Sequence, residues 1–202
     1  MRIAVIGAAG NVGSRVVAEA LRRGHRVTPL TADDVDATDT GTVADLIAGH
    51  DVGVGATRPV PGDEQSAPVV TRSLLDAYAA AGVRFVMVGG AGSLLVPDDS
   101  GRLVADDPRW VPPEFADLAR TGNDQLTLCR EHGRADWTYV TPSALMAPGL
   151  RTGAYRVGQD ELLVDRAGRS YVSMEDMAVA VVDEIEEPAH RGQRFTVASG
   201  AS

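Results

Sequence analysis

Three glycines at three-residue spacing, Gly7, Gly10 and Gly13, join a short apolar run to an apolar stripe of helical period, and no other feature restricts the fold as much. The run, Ile3 to Ile6, is unbroken, as in a strand buried on both faces of a parallel sheet. Beyond the glycines, Val12, Val16, Val17, Ala20 and Leu21 line one side of a helix, with Arg22 and Arg23 in its last turn and Gly24 where a left-handed terminal residue belongs. Between strand and helix, Gly7 allows a sharp turn, Gly10 a close approach of backbone to a bound group, and Gly13 close packing of helix on sheet. The free N–H groups from Gly7 through Ala9, Asn11 and Val12 to Gly13, together with the helix dipole, favour an anion, most often a dinucleotide diphosphate. The alternative is a glycine-rich turn that binds nothing.

Arg26 to Thr31 reads as a second strand, but Pro29 cannot donate to a ladder and belongs on an edge. A parallel crossover needs about a dozen residues. The interval from Thr31 to His50 holds one short helix, about Gly41 to Ala48, before the next strand, Asp51 to Thr57, so no room is left for a third strand with its own helix. Further strands are expected at Arg84 to Val88, Asp136 to Pro142 and Arg194 to Ala198. Helices are expected from near Pro68 to Ala81, from Glu114 to His132 with an interruption at Gly122, and from a Ser173 cap to Glu186. Tyr155 to Val157 and Glu161 to Val164 flank Gly158 as a small hairpin, and the Asp- and Pro-rich stretch Leu94 to Pro113 is long enough to act as a lid or substrate wall.

The pattern predicts one α/β domain over 1–202, a Rossmann-like doubly wound parallel sheet with helices on both faces, trimmed at the edge of the second and third strands. Substrate-side elements fall mainly in 94–113 and 143–172. Ligands of such sheets collect beyond the carboxyl ends of the strands. Thr31, Ala56, Thr57, Arg58, Gly89, Gly90, Thr141, Pro142 and Ser143 are therefore candidate cofactor contacts on the same rim as the glycine turn, with Ser93 the candidate catalytic group. Trp110, Arg151 and Tyr155 are candidate substrate contacts. After the second strand come Asp33 and Asp34, which suit the adenine ribose hydroxyls of NADH or else form an acidic surface turn; the choice between NADH and NADPH stays open.

A net charge of −9 argues against nucleic-acid or anionic-membrane surfaces, since both are held by clustered basic residues. The basic side chains are all arginine, which excludes lysine Schiff-base chemistry and a phosphate-loop lysine. The lone Cys129 reads as a small core residue, the four histidines lack ligand spacing so no metal is expected, and no apolar run approaches the ~18 residues of a membrane span. A cytoplasmic protein, monomer or homodimer, acting on a small molecule is the expectation.

Val88-Gly-Gly-Ala-Gly-Ser-Leu94, Asp136-Trp-Thr-Tyr-Val-Thr-Pro-Ser143, Ala147-Pro-Gly-Leu-Arg-Thr-Gly153 and Ser173-Met-Glu-Asp-Met-Ala178, with the glycine turn, resemble the atypical short-chain dehydrogenase/reductases. The likeness is to their NAD(P)H-binding, NADH-flavin reductase-like branch, related to biliverdin reductase B, and it covers nearly the whole chain. It implies a nicotinamide cofactor, NADH or NADPH, in the crevice and hydride transfer to a small conjugated, flavin- or quinone-like acceptor. It also implies a substrate-binding serine at Ser93. The Tyr-x-x-x-Lys pair of typical members is excluded by the lack of lysine, and Phe115 stands where the tyrosine would be. Two alternatives remain: a dinucleotide-sensing regulator without turnover, and a non-redox isomerase, cyclase or dehydratase on the same scaffold.

Overall fold

In the computed structural model, which describes residues 1–59, 62–98 and 100–200, the run after Met1 forms the strand β1 (Arg2–Ile6), buried within the main sheet. β1 pairs in parallel with β2 (Arg26–Leu30) on one side and β3 (Val52–Gly55) on the other. β4 (Arg84–Val88) and β5 (Trp137–Thr141) continue the parallel ladder. Two short strands, β6 (Leu145–Ala147) and β8 (Tyr171–Ser173), pair with each other apart from the main sheet. The chain ends in β9 (Gln193–Ser199), parallel to β5, and β7 (Tyr155–Gly158) runs antiparallel to β9 at the far edge. The spatial order is β2-β1-β3-β4-β5-β9-β7.

Strand alternation builds a core on each face. Val5, Val54, Val86 and Val140 pack against Val16 and Ala20 of α1 (Asn11–Arg22) and Met177 and Val181 of α5 (Met174–Glu186). On the other face Ala4, Phe85 and Tyr139 meet Ile47 of α2 (Thr40–Ile47), Leu74 and Tyr78 of α3 (Ser66–Ala81) and Leu126 of α4 (Ala116–Glu131). The Rossmann-like architecture therefore holds, and so does its trimmed edge: among the described residues β2 pairs with β1 alone, with Pro29 opposite Val5.

Two expectations are corrected. Residues 155–164 form no hairpin, because β7 turns to β9 while Leu162 is drawn into a separate apolar cluster with Leu94, Val96 and Val104. The same cluster fixes the long 94–113 segment, which is tied by Leu95 N–H to the Asp160 carbonyl at 2.8 Å and by Leu162 N–H to the Leu95 carbonyl at 2.9 Å. Helix α4 also runs through Gly122 without a break, since that glycine serves close packing: a Cβ there would lie 3.2 Å from the Gly90 carbonyl oxygen.

Candidate dinucleotide-binding site

The turn after β1 is built from backbone. Gly7 has φ +84°, a left-handed conformation that a side chain would strain, and a Cβ on it would lie 2.6 Å from the Ala56 carbonyl oxygen. Its N–H and that of Ala8 both donate to the Leu30 carbonyl, at 3.0 and 3.1 Å, which ties the turn to the end of β2. Gly10 N–H returns to the Gly7 carbonyl at 3.0 Å. Gly10 then caps α1 in an extended conformation, φ −72° and ψ 167°, with no side chain to occupy the helix end. Among the described residues, the N–H groups of Ala9, Asn11, Val12 and Gly13 make no hydrogen bond within the chain. Orphan amides on a helix dipole, with no Cβ at the cap, suit a diphosphate.

The ends of the neighbouring strands border this turn. Ala56 N–H extends the ladder to the Ile6 carbonyl at 2.9 Å and brings Thr57 and the exposed Arg58 onto the rim; Gly89 N–H does the same with the Val140 carbonyl at 2.9 Å. Thr31 opens the turn after β2, where its N–H and hydroxyl both donate to Asp34 Oδ2 at 2.8 Å. Thr141, Pro142 and Ser143 are buried at the end of β5. Ser143 Oγ donates to the Val197 carbonyl at 3.0 Å, whereas Thr141 Oγ1 is buried without a partner among the described residues. Ser93 is 4 % exposed, and Arg194 Nη1 donates both to its Oγ at 3.0 Å and to its carbonyl at 2.9 Å. An accepting Oγ keeps its own hydrogen free to donate.

The three candidate substrate contacts are each held within the fold. Trp110 packs on the Leu94 cluster with its indole N–H buried and unpartnered among the described residues. Arg151 grips Glu19 with both arms, Nε to Oε2 at 2.8 Å and Nη2 to Oε1 at 2.9 Å. Glu19 sits nine residues past Gly10, roughly 13 Å down the helix from the diphosphate end. Tyr155 donates to Asp183 Oδ2 at 2.6 Å, and Asp183 in turn accepts from Arg23 at 2.6 Å. Both residues thus belong to an ionic network that fastens the 148–155 segment to α1 and α5.

Sequence reasoning passed over several buried ionic residues, Glu19, Arg84 and Arg194 among them. For Glu19 a signal existed in its spacing to Arg22 and Arg23 on one helix face. Arg84 and Arg194 find their partners, Glu184 and Asp160, across the fold, where no local pattern reports them.

A family model for NAD(P)H binding matches residues 7–188, from the glycine turn to the end of α5. The chain belongs to this NAD(P)H-binding family. NADH or NADPH is accordingly its cofactor class. Among other proteins, it is 35% identical to the uncharacterized protein YwnB of Bacillus subtilis over 213 residues, covering all of both chains. A crystal structure from Burkholderia pseudomallei, described provisionally as an exported protein, shares 38% identity and superposes with a TM-score of 0.89 over 98% of this chain and 99% of that one. One from Bacteroides thetaiotaomicron, named provisionally as an epimerase, gives 34% and 0.90 over 100% and 98%. One from Streptococcus pneumoniae, named provisionally as an NADH-flavin reductase, gives 28% and 0.85 over 98% and 99%. Among the described residues no helix is long and apolar enough to cross a membrane.

Proposed function

We propose that this NAD(P)H-binding protein is an oxidoreductase, an atypical short-chain reductase that passes hydride to a small conjugated acceptor of flavin or quinone type. The observation that carries the reading is the set of unpaired amides of Ala9, Asn11, Val12 and Gly13 around a helix cap without a side chain. The family membership and the Streptococcus pneumoniae relative's name support it. When bound, a reduced nicotinamide supplies the hydride. The chain supplies position: the amides of Ala9, Asn11, Val12 and Gly13 hold the diphosphate, and Thr31, Ala56 to Arg58, Gly89, Gly90 and Thr141 to Ser143 border the crevice.

Proton delivery by a phenol paired with an ammonium group is not available to a chain without lysine. Burial pushes the Tyr78 and Tyr139 phenols above their ordinary range, and Tyr155 is committed to Asp183. Phe115, exposed just before α4, has no proton to give. Ser93, with its hydroxyl hydrogen free and Arg194 donating to its oxygen, is the polar group best placed to orient an acceptor. Such a site works by proximity and alignment, and solvent provides the proton. The buried Cys129 suits a reducing, cytoplasmic setting.

Fluorescence titration with NADH and NADPH, followed by steady oxidation of the bound coenzyme with FMN or a quinone, tests the proposal. No binding of either coenzyme at millimolar concentration would remove it. The name of the Bacteroides relative favours a second reading, an epimerase. An epimerase would bind coenzyme yet show no net oxidation with any acceptor.

A further inference from the structure

Resting on the reductase reading above, we infer that Arg194, braced by Asp160, is the positioning residue of the acceptor site: it holds Ser93 so that the hydroxyl donates, and what it donates to is a carbonyl oxygen of the acceptor. Ser93 closes the short turn Ala91–Ser93 just beyond the end of β4. Arg194 stands on β9 inside the main sheet, in register with Tyr139 of β5. A buried strand is a rigid base for a side chain that must hold another in place.

One nitrogen of Arg194, Nη1, donates to both oxygens of Ser93, the carbonyl at 2.9 Å and Oγ at 3.0 Å, and so fixes the serine rotamer. The other two nitrogens, Nε at 3.0 Å and Nη2, are spent on Asp160 Oδ1. Asp160 is tethered in turn. Its carbonyl accepts from Leu95 N–H at 2.8 Å, and the Gln159 carbonyl before it accepts from Thr196 Oγ1 at 2.8 Å. Residues 159 and 160 therefore tie β9 to the chain just past Ser93, and the guanidinium cannot swing away from the serine.

With the N–H of a cation on its oxygen, Ser93 keeps its own hydrogen to give, and among the described residues no atom accepts it. A second hydroxyl, that of Thr141, lies two residues past Tyr139 and so on the same face of the sheet as Arg194; it is buried without a partner among the described residues. Unspent hydrogen-bonding capacity on buried groups calls for a partner from outside the chain. A ligand N–H would have to share the Ser93 oxygen with a cation, whereas a carbonyl oxygen completes the series from Asp160 through Arg194 and Ser93. Hydride reaching the conjugated acceptor places its electron pair on that oxygen, the nicotinamide is left oxidised, and solvent adds the proton. A guanidinium one hydrogen bond behind the hydroxyl strengthens it as a donor and favours the charge that develops. Packing does not account for the arginine, because burying a guanidinium carries a desolvation penalty that an apolar side chain of equal volume avoids.

The test follows the full chain with reduced coenzyme and whichever of FMN and menadione the wild type reduces. Ser93→Ala and Arg194→Met are each expected to lower kcat/KM for the acceptor about tenfold, and the double variant to fall no more than about twofold below Ser93→Ala, because the arginine acts through the serine. Arg194→Lys, which keeps a cation within reach, should stay within about threefold of wild type, and coenzyme Kd should hold within about twofold in every variant, which general damage to the fold would not allow. Asp160 is half-exposed, so Asp160→Asn carries the same test if Arg194→Met does not fold: a loss of about threefold that vanishes in the Ser93→Ala background. Losses that multiply in the double variant, or wild-type turnover in Arg194→Met, would overturn the inference and leave the reductase reading standing. Coenzyme binding with no reduction of either acceptor would overturn that reading, and the inference with it.

Discussion

The carbonyl oxygen of Gly7 occupies the place a methyl group at residue 13 would need: a Cβ built on Gly13 lies 2.1 Å from it. Both atoms belong to backbone, one in the turn and one in the first turn of α1, so neither can swing aside. Gly13→Ala should therefore push α1 off the sheet, at a cost of about 3 kcal/mol or more. For a chain of this length that corresponds to a fall in Tm on the order of 10 °C. Calorimetry of the variant checks it; an unchanged Tm would mean that the helix does not seat as described.

Gly10 should behave differently. Its φ of −72° is open to any residue, and it is exposed at the cap. A Cβ on Gly10 would lie 3.1 Å from the Gly7 carbonyl oxygen, so Gly10→Val is expected to lower Tm by a few degrees, less than Gly13→Ala, but to weaken NADH binding by about a hundredfold, roughly 2.7 kcal/mol, because the side chain fills the space over the unpaired amides. Parallel thermal melts and fluorescence titrations separate the two glycines.

Glu19 makes stability depend on pH in a predictable direction. Hydrogen bonds from Arg151 and Arg22, with Arg23 behind them, hold its carboxyl far below the ordinary glutamate range despite burial. The folded state thus resists protonation that the unfolded chain accepts near pH 4.5, so this stabilisation is present above that pH and lost as pH falls below it. Denaturant melts from pH 7 to pH 3 should show a shallower acid loss for Glu19→Gln than for the wild type. Arg151→Met should lower stability by about 1–2 kcal/mol without changing coenzyme affinity, as befits a strut between the 148–155 segment and α1.

Cys129 is fully buried, and burial pushes its thiol up to about 12. A disulfide reagent added to the native protein at pH 8 should react no faster than the protein unfolds. Immediate stoichiometric labelling would contradict the packing of α4 on the sheet.

The stretch from Ile3 to Gly24 was readable because strand, turn and helix are each declared by residues within a few positions of one another. Pro29 declared its edge for the same reason: a missing N–H is a local fact with a topological consequence. Partner choice is not local. Tyr155 to Gly158 shows its strand character in sequence, yet whether it folds back on residues 161–164 or crosses to β9 depends on where Leu162 can be buried, in a cluster assembled from three separate segments. Gly122 was misread because a helical glycine signals a break by itself and close packing only in the presence of Gly90. Arg151 and Tyr155 stand near rim motifs in sequence, but the charges that capture them, Glu19 and Asp183, belong to distant helices. The rim positions follow from the strand ends, which local pattern places, whereas the ion pairs that hold Arg151 and Tyr155 are made between distant segments.

Because one carbonyl, that of Leu30, receives two amides of the coenzyme turn, the outermost strand and the ligand share a fate. In a wider sheet the corresponding strand is clamped from both sides, and its end cannot loosen alone. Fraying of this margin would loosen the turn, and a diphosphate seated there as proposed would in exchange quiet the margin, slowing hydrogen exchange along residues 26–30 far more than at the opposite border of the sheet.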